Sequence, residues 1–132
     1  MFRLIVLATG SKGNGYILTN GEDTLLIEAG ARYKEMLAGL DYKIETVNGM
    51  IISHEHKDHS KYIEQYLKKG LFVHMPRSMK NNLDLSHVYN AISVDIGVTY
   101  ELATAKFNNF FKIFFSIFKT YFFIWITIQI VT

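Results

Sequence analysis

Apolar residues fall in short blocks along the first hundred positions, and the spacing inside each block predicts its element. Phe2 to Ala8 is a near-continuous apolar run of strand length, which Gly10, Gly13 and Gly15 break into a loop. Tyr16 to Thr19 and Thr24 to Glu28 flank Asn20-Gly21-Glu22-Asp23, and Asn-Gly between two apolar runs predicts a hairpin. Ala29-Gly30 closes that third strand. Tyr33, Met36, Leu37 and Leu40 then recur at helical spacing as far as Asp41. Gly49 to Ser53 is a short apolar strand, and Tyr62, Ile63, Tyr66 and Leu67 mark one face of a helix. Ser60 or Asp58 is placed to cap that helix and Gly70 to close it. Leu71 to Met75 reads as a further strand stopped by Pro76, and Arg77 to Leu102 as a short helix, a loop and one or two strands.

The pattern changes near residue 106. Residues 107–132 hold eight of the ten phenylalanines and the only tryptophan, with no His, Asp, Glu, Gly or Pro. We therefore divide the chain into a globular part, 1–106, and an apolar Phe/Ile-rich tail, 107–132. Charge follows the same division. Residues 1–106 carry twelve Lys or Arg and twelve Asp or Glu, and the tail adds only Lys112 and Lys119. The basic pI thus belongs to the tail and does not argue for a nucleic-acid surface.

Three readings of the tail follow. Ile113 to Val131 approaches the roughly 20 residues that span a bilayer, with Tyr121 and Trp125 as interfacial residues, so a transmembrane anchor is one. Against it, Lys119 near the middle costs about 2.5 to 3.5 kcal/mol on insertion scales. An aberrant, aggregation-prone tail from out-of-frame reading of an AT-rich gene stands level with the anchor. A buried strand ranks third, with Ile124, Ile126, Ile128 and Ile130 on one face and Trp125, Thr127 and Gln129 on the other.

Cysteine is absent, which excludes disulfides and thiolate metal sites and fits a reducing compartment. The N-terminal apolar run is too short, and too polar afterwards, for a signal peptide, so the expected location is cytoplasmic, with membrane association through the tail as the alternative.

Chemistry concentrates at Ser53-His54-Glu55-His56-Lys57-Asp58-His59, where His54, His56, Asp58 and His59 put four candidate metal ligands into six residues. Alternate residues at a strand end share a face, so His54 and His56 can address one ion while the turn that follows swings Asp58 and His59 toward a second. Two neighbouring ions would lower the pKa of a shared water and hold it as a metal-bound hydroxide, a nucleophile for an ester, amide or phosphodiester. A lone histidine in such a place is mostly structural; four donors at this spacing reverse that expectation.

The cluster resembles the HxHxDH signature of the metallo-β-lactamase superfamily, two-metal hydrolases with an αββα sandwich. The first strand, the Gly-Ser-x-Gly-Asn loop (Gly10 to Asn14), the hairpin ending in Leu26-Ile27-Glu28-Ala29-Gly30, the helix and the strand into the signature resemble its N-terminal half in order and length. The resemblance implies an α/β (α+β) fold, the first half of the sandwich, with helices on one face of a mostly antiparallel or mixed sheet. The other face is left apolar for want of the second sheet, and the tail is a candidate cover. The resemblance also implies His54 and His56 on a first metal, Asp58 and His59 on a second, and Asp58 as the catalytic group that orients or deprotonates the bridging water. Glu28 stands where many members have an aspartate supporting the site from behind, and it is longer. Zinc, one or two ions, is the implied cofactor, with manganese or iron also accepted by such donors. Glu55 and Lys57 fall on variable positions and are expected to face solvent. The Gly10 to Asn14 loop resembles cytoplasmic nuclease-like or phosphodiesterase-like members, which implies a small-molecule or nucleic-acid phosphodiester substrate; a tight turn between strands is the plainer reading of the same glycines.

The superfamily completes its site with a third histidine, a bridging aspartate and a last histidine. This chain has no histidine after His87; His74 and His87 read as structural, and Asp95 resembles the bridging aspartate without the histidine that should precede it. Whether the chain is an enzyme therefore turns on a count of converging ligands. One reading is a metal-dependent hydrolase, truncated and impaired; the other is a non-catalytic remnant attached to a membrane by its tail or doing nothing.

Overall fold

The computed structural model describes residues 1–103, 109–118 and 121–130. A sheet of order β1-β2-β3-β4-β5-β6 is built from Arg3–Ala8, Gly15–Thr19, Thr24–Ile27, Val47–Ile51, Val73–Pro76 and Ala91–Val94. β1, β2 and β3 are antiparallel and β3 to β6 parallel, so the sheet is mixed, as expected. Asn20 sets the hairpin between β2 and β3: its Oδ1 accepts from the Glu22 and Asp23 amides at 2.9 and 2.7 Å.

Helices α1 (Tyr33–Gly39), α2 (Lys57–Ser60), α3 (Ile63–Lys68) and α4 (Arg77–Asn82) are short. Their apolar faces supply Met36, Ile63, Tyr66 and Met79 to a core shared with Ile17, Leu26, Met50, Val73 and Met75 of the sheet. The expected cap at Ser60 is not formed. The signature helix is instead broken into α2 and α3, and the buried Ser60 hydroxyl lies 2.8 Å from the Glu55 carbonyl and 3.1 Å from that of His56, tying back the turn that carries the histidines.

Alternate residues of the same strands serve the opposite face. Leu25, Ile51 and Val94 form a second core with Phe111 and Ile113, and Leu102, Ile124 and Ile126 pack against it. Those partners belong to a separate sheet, β7-β8-β9, made of Thr99–Ala103, Asn109–Phe118 and Tyr121–Ile130. The expectation that the second sheet is missing is thus corrected, because three strands of it cover the face. The parallel strands are covered on both faces and read as short apolar runs, whereas β1 leaves Leu4 and Val6 exposed.

The transmembrane reading of the tail is corrected as well. Among the described residues no helix is long and apolar enough to cross a membrane, and Asn109–Phe118 pairs antiparallel with Tyr121–Ile130. The β-branched and aromatic residues that look like a membrane span by hydropathy lie in paired strands, a conformation those residue types favour. The composition break at 106 and 107, and Lys119, lie outside the described residues.

His74 on β5 is half-buried, with its Nδ1 3.3 Å from the Met50 carbonyl. Burial lowers its pKa below the ordinary 6.5, against the pull of that hydrogen bond. The folded chain then binds this proton less readily than the unfolded chain. The stability is fully present above about pH 6.5 and is lost as pH falls through the lowered folded value. Urea unfolding at pH 7.5 and pH 5 is expected to show a smaller acid-side loss in His74→Leu than in the wild type; an identical loss would contradict this.

Candidate metal centre

The site is assembled where β3 and β4 end side by side. Glu28 leaves β3 with a left-handed backbone, φ 65°, a conformation that costs a non-glycine residue on the order of 1 kcal/mol. Three amides show what the turn accomplishes. Glu28 N donates to the Ile51 carbonyl at 2.8 Å, Ala29 N to that of His59 at 2.7 Å, and Gly30 N to that of Asn14 at 2.8 Å. The strand end is thereby joined to the motif on one side and to the glycine loop on the other.

Glu28 is 6% exposed, and both its oxygens are used: Oε1 accepts from the Ser53 amide at 2.9 Å and Oε2 lies 2.7 Å from His59 Nδ1. A buried carboxylate there places the proton on Nδ1 and leaves Nε2 as the electron-pair donor, the arrangement that orients metal-binding histidines. The longer side chain therefore reaches the histidine from behind. The Glu28 hydrogen bond also raises the His59 pKa above its ordinary value, over the opposing effect of burial, with the Glu28 and Asp58 charges adding to the rise. His54 moves the other way. Burial, then repulsion from His59, lowers its pKa, Glu28 and Asp58 pulling back and His56 adding to the fall. Ser53 Oγ lies 2.7 Å from His54 Nδ1.

The four expected ligands are brought together. The His54 ring centre lies 4.5 Å from that of His56 and 4.2 Å from that of His59, and Asp58 Oδ2 lies 3.4 Å from His59 Nε2. His56 is exposed and the other three are half-buried, so the cluster opens to solvent. In this arrangement the rings rest on one another and, among the described residues, no group of three or more such side chains is set around a common point to hold an ion. The remaining candidates lie elsewhere. His74 is bonded toward Met50 within the sheet, His87 lines a separate cleft with Leu83 and Val88, and Asp95 is paired with Arg77 at 3.1 Å on the surface.

Asn14 was not singled out by the sequence, although the loop that carries it was. Its Nδ2 donates to Asp58 Oδ2 at 3.2 Å, its amide donates to the Asp58 carbonyl at 2.7 Å, and Gly10 is held by both ends of its side-chain amide. The loop is more than a turn: it positions the Asp58 carboxylate. Two glycines make the approach close enough. A Cβ on Gly30 would collide with the backbone of Asn14 and Asp58, and one on Gly13 with the Gly30 carbonyl.

Against known proteins, residues 7–114 match the profile of the family described as anti-Pycsar protein Apyc1. The chain belongs to the anti-Pycsar Apyc1 family. That match runs past the change in composition at residue 106 and into β8. A curated relative of this Apyc1-family chain is the exodeoxyribonuclease WalJ of Streptococcus pneumoniae serotype 2 strain D39, 38% identical over 61 residues, covering 44% of the chain and 23% of the relative. Among solved structures the chain is similar to the chemotaxis sensor ODP in its peroxy diiron form, with TM-score 0.65, 11% identity and coverage of 86% of the chain and 48% of that structure. It is likewise similar to the metallo-β-lactamase IND-7, with TM-score 0.61, 12% identity and coverage of 93% and 60%. The metallo-β-lactamase fold protein YhfI of Bacillus subtilis gives TM-score 0.59, 17% identity and coverage of 96% and 56%. The chain has the metallo-β-lactamase fold, and it spans about a quarter of WalJ and roughly half of these structures.

Proposed function

We propose that this chain carries the first half of a metal-dependent hydrolase site that acts on phosphodiester bonds, with His54, His56, Asp58 and His59 as the metal ligands. The observation that carries the reading is the buried Glu28 carboxylate held 2.7 Å from His59 Nδ1, which turns Nε2 toward Asp58. Imidazole and carboxylate donors suit zinc, and they also accept manganese or iron. When bound, the metal supplies a water activated for attack at neutral pH. The chain's own residues do the rest. Asn14 Nδ2 donates to Oδ2 of Asp58, which leaves Oδ1 to orient the attacking water and take its proton. Glu28 keeps His59 in the ligating tautomer, and Ser53 fixes the ring of His54. The relative's name, exodeoxyribonuclease, supports nucleic-acid diesters as the substrate class.

The same count limits the activity. Asp58 is the one carboxylate in the cluster, whereas two closely spaced divalent ions need a second, bridging one to offset their repulsion. The chain is expected to hold about one zinc and to hydrolyse bis-p-nitrophenyl phosphate slowly. His56→Ala should lower that slow turnover by on the order of a hundredfold, since it removes a ligand and not a neighbour. Unchanged turnover in His56→Ala, with zinc present, would overturn the assignment.

A further inference from the structure

We infer that a cleft beside Asp58, lined by Ser11, Lys12, Lys57 and Lys61, is an anion subsite that takes a phosphate group of a nucleotide or nucleic-acid ligand. The cleft encloses about 310 Å³, and Asp58 forms part of its wall. That size accepts a phosphate with part of its sugar. The three lysines come from two separate segments: Lys12 from the glycine loop held by Asn14, and Lys57 and Lys61 from α2 and the residue after it. The hydrogen bonds that position Asp58 therefore also bring the three lysines to one concavity.

The charges lining this cleft are not neutralised in pairs. Among the described residues no carboxylate lies within 4.0 Å of the ammonium of Lys12, Lys57 or Lys61, the ion pairs being Arg32 with Glu35, His59 with Glu28 and with Asp58, Arg77 with Asp95 and Lys112 with Glu101. Lys61 alone has another contact, the Tyr62 ring at 5.3 Å. A second basic cleft holds Arg32, Lys34, Lys68 and Lys69, where Arg32 is paired with Glu35 at 2.7 Å; none of the motif residues lines it, whereas Asp58 stands in the wall of the first. Three ammonium groups set against one carboxylate leave an excess of positive charge, which an anion offsets. The one carboxylate in the wall, Asp58, is held by the side-chain amide of Asn14. A phosphate seated among the lysines stands beside Asp58, one of the proposed metal ligands. In that respect the subsite shares the substrate class of the proposed hydrolase, but binding there requires neither metal nor turnover.

The test is therefore run on the full chain in chelator. Fluorescence anisotropy follows a labelled single-stranded DNA 12-mer lacking a terminal phosphate, and a nucleoside 5′-monophosphate is titrated by calorimetry. The triple variant Lys12→Ala, Lys57→Ala, Lys61→Ala is compared with wild type and with Lys34→Ala, Lys68→Ala, Lys69→Ala. At 50 mM salt the first triple should bind at least about tenfold more weakly, and for the 12-mer the slope of log affinity against log salt should fall by about 2. The second triple should bind like wild type. All three lysines of the first set are exposed, so its melting temperature should stay at the wild-type value, and the single Lys57→Gln should show a smaller loss of the same sign. Loss with the 12-mer alone identifies a backbone diester as the ligand, and loss with the monophosphate alone a terminal phosphate; either supports the subsite. Equal weakening by both triples, or none by the first, overturns it. Failure of zinc binding or hydrolysis with this result intact would count against the catalytic reading only.

Discussion

Replacing Gly30 by alanine is expected to lower the chain's stability by about 3 kcal/mol or more, with a fall in melting temperature on the order of 10 °C. The cause is local and has no soft partner. An added Cβ would meet the backbone of Asn14 and the Asp58 carbonyl, and these atoms are already fixed by Asn14 N donating to the Asp58 carbonyl at 2.7 Å and Gly30 N donating to that of Asn14 at 2.8 Å. Overpacking against a flexible side chain can be relieved by a rotamer change; overpacking against hydrogen-bonded backbone must move the strand end, the glycine loop or the motif. Any of these shifts carries Asp58 with it. Thermal melts by circular dichroism check the result, with Gly21→Ala as comparison. Gly21 sits at a hairpin tip where an added Cβ meets nothing, so its cost comes from its φ of 92° and not from collision. A Gly30→Ala chain as stable as wild type would show that the three segments are less tightly joined than their hydrogen bonds imply.

What could be read from the sequence depended on the range of the interaction. The hairpin at Asn20-Gly21, the strand into the motif and the spacing of His54, His56, Asp58 and His59 are local patterns, and they appear where periodicity and turn chemistry place them. Links between distant segments were not legible. Nothing in the glycine loop says that Asn14 reaches a carboxylate 44 residues away, and nothing around Glu28 says that its backbone turns left-handed so that its side chain can hold His59. The break between α2 and α3 was hidden because Tyr62, Ile63, Tyr66 and Leu67 keep helical spacing on their own, while what ends α2 comes from far off in sequence: the Asn14 and Ala29 amides take the Asp58 and His59 carbonyls, and the Tyr62 amide turns to the Ala29 carbonyl.

Composition misled at the tail. A run rich in Phe and Ile satisfies a hydropathy criterion for a membrane span whether it is helix or strand, and only the pairing of β8 with β9, and of β8 with Thr99–Ala103, decides between them. Equal numbers of acids and bases in residues 1–106 set the net charge and say nothing about distribution. Lys12, Lys57 and Lys61 are gathered at one end of the motif only by the fold.

The second large effect concerns metal affinity and follows from the tautomer of His59. Glu28→Gln keeps the shape and one acceptor for the Ser53 amide, but it can place an NH₂ group opposite His59 Nδ1. Two donors cannot face each other, so the imidazole proton moves to Nε2 and the lone pair aimed at Asp58 is lost. Partners of this kind typically cost 10- to 100-fold in metal affinity when removed, and the neutral amide also withdraws a buried negative charge from the ligand cluster. The effect should appear in binding with little loss of folding, since the Ser53 contact survives.

Zinc titration against a chromophoric chelator, on wild type and Glu28→Gln side by side, tests the central claim that this motif is a metal site held from behind by Glu28. The account predicts about one zinc on the wild type and binding roughly 10- to 100-fold weaker in the variant. No zinc on the wild type, or the same affinity in both proteins, would contradict it.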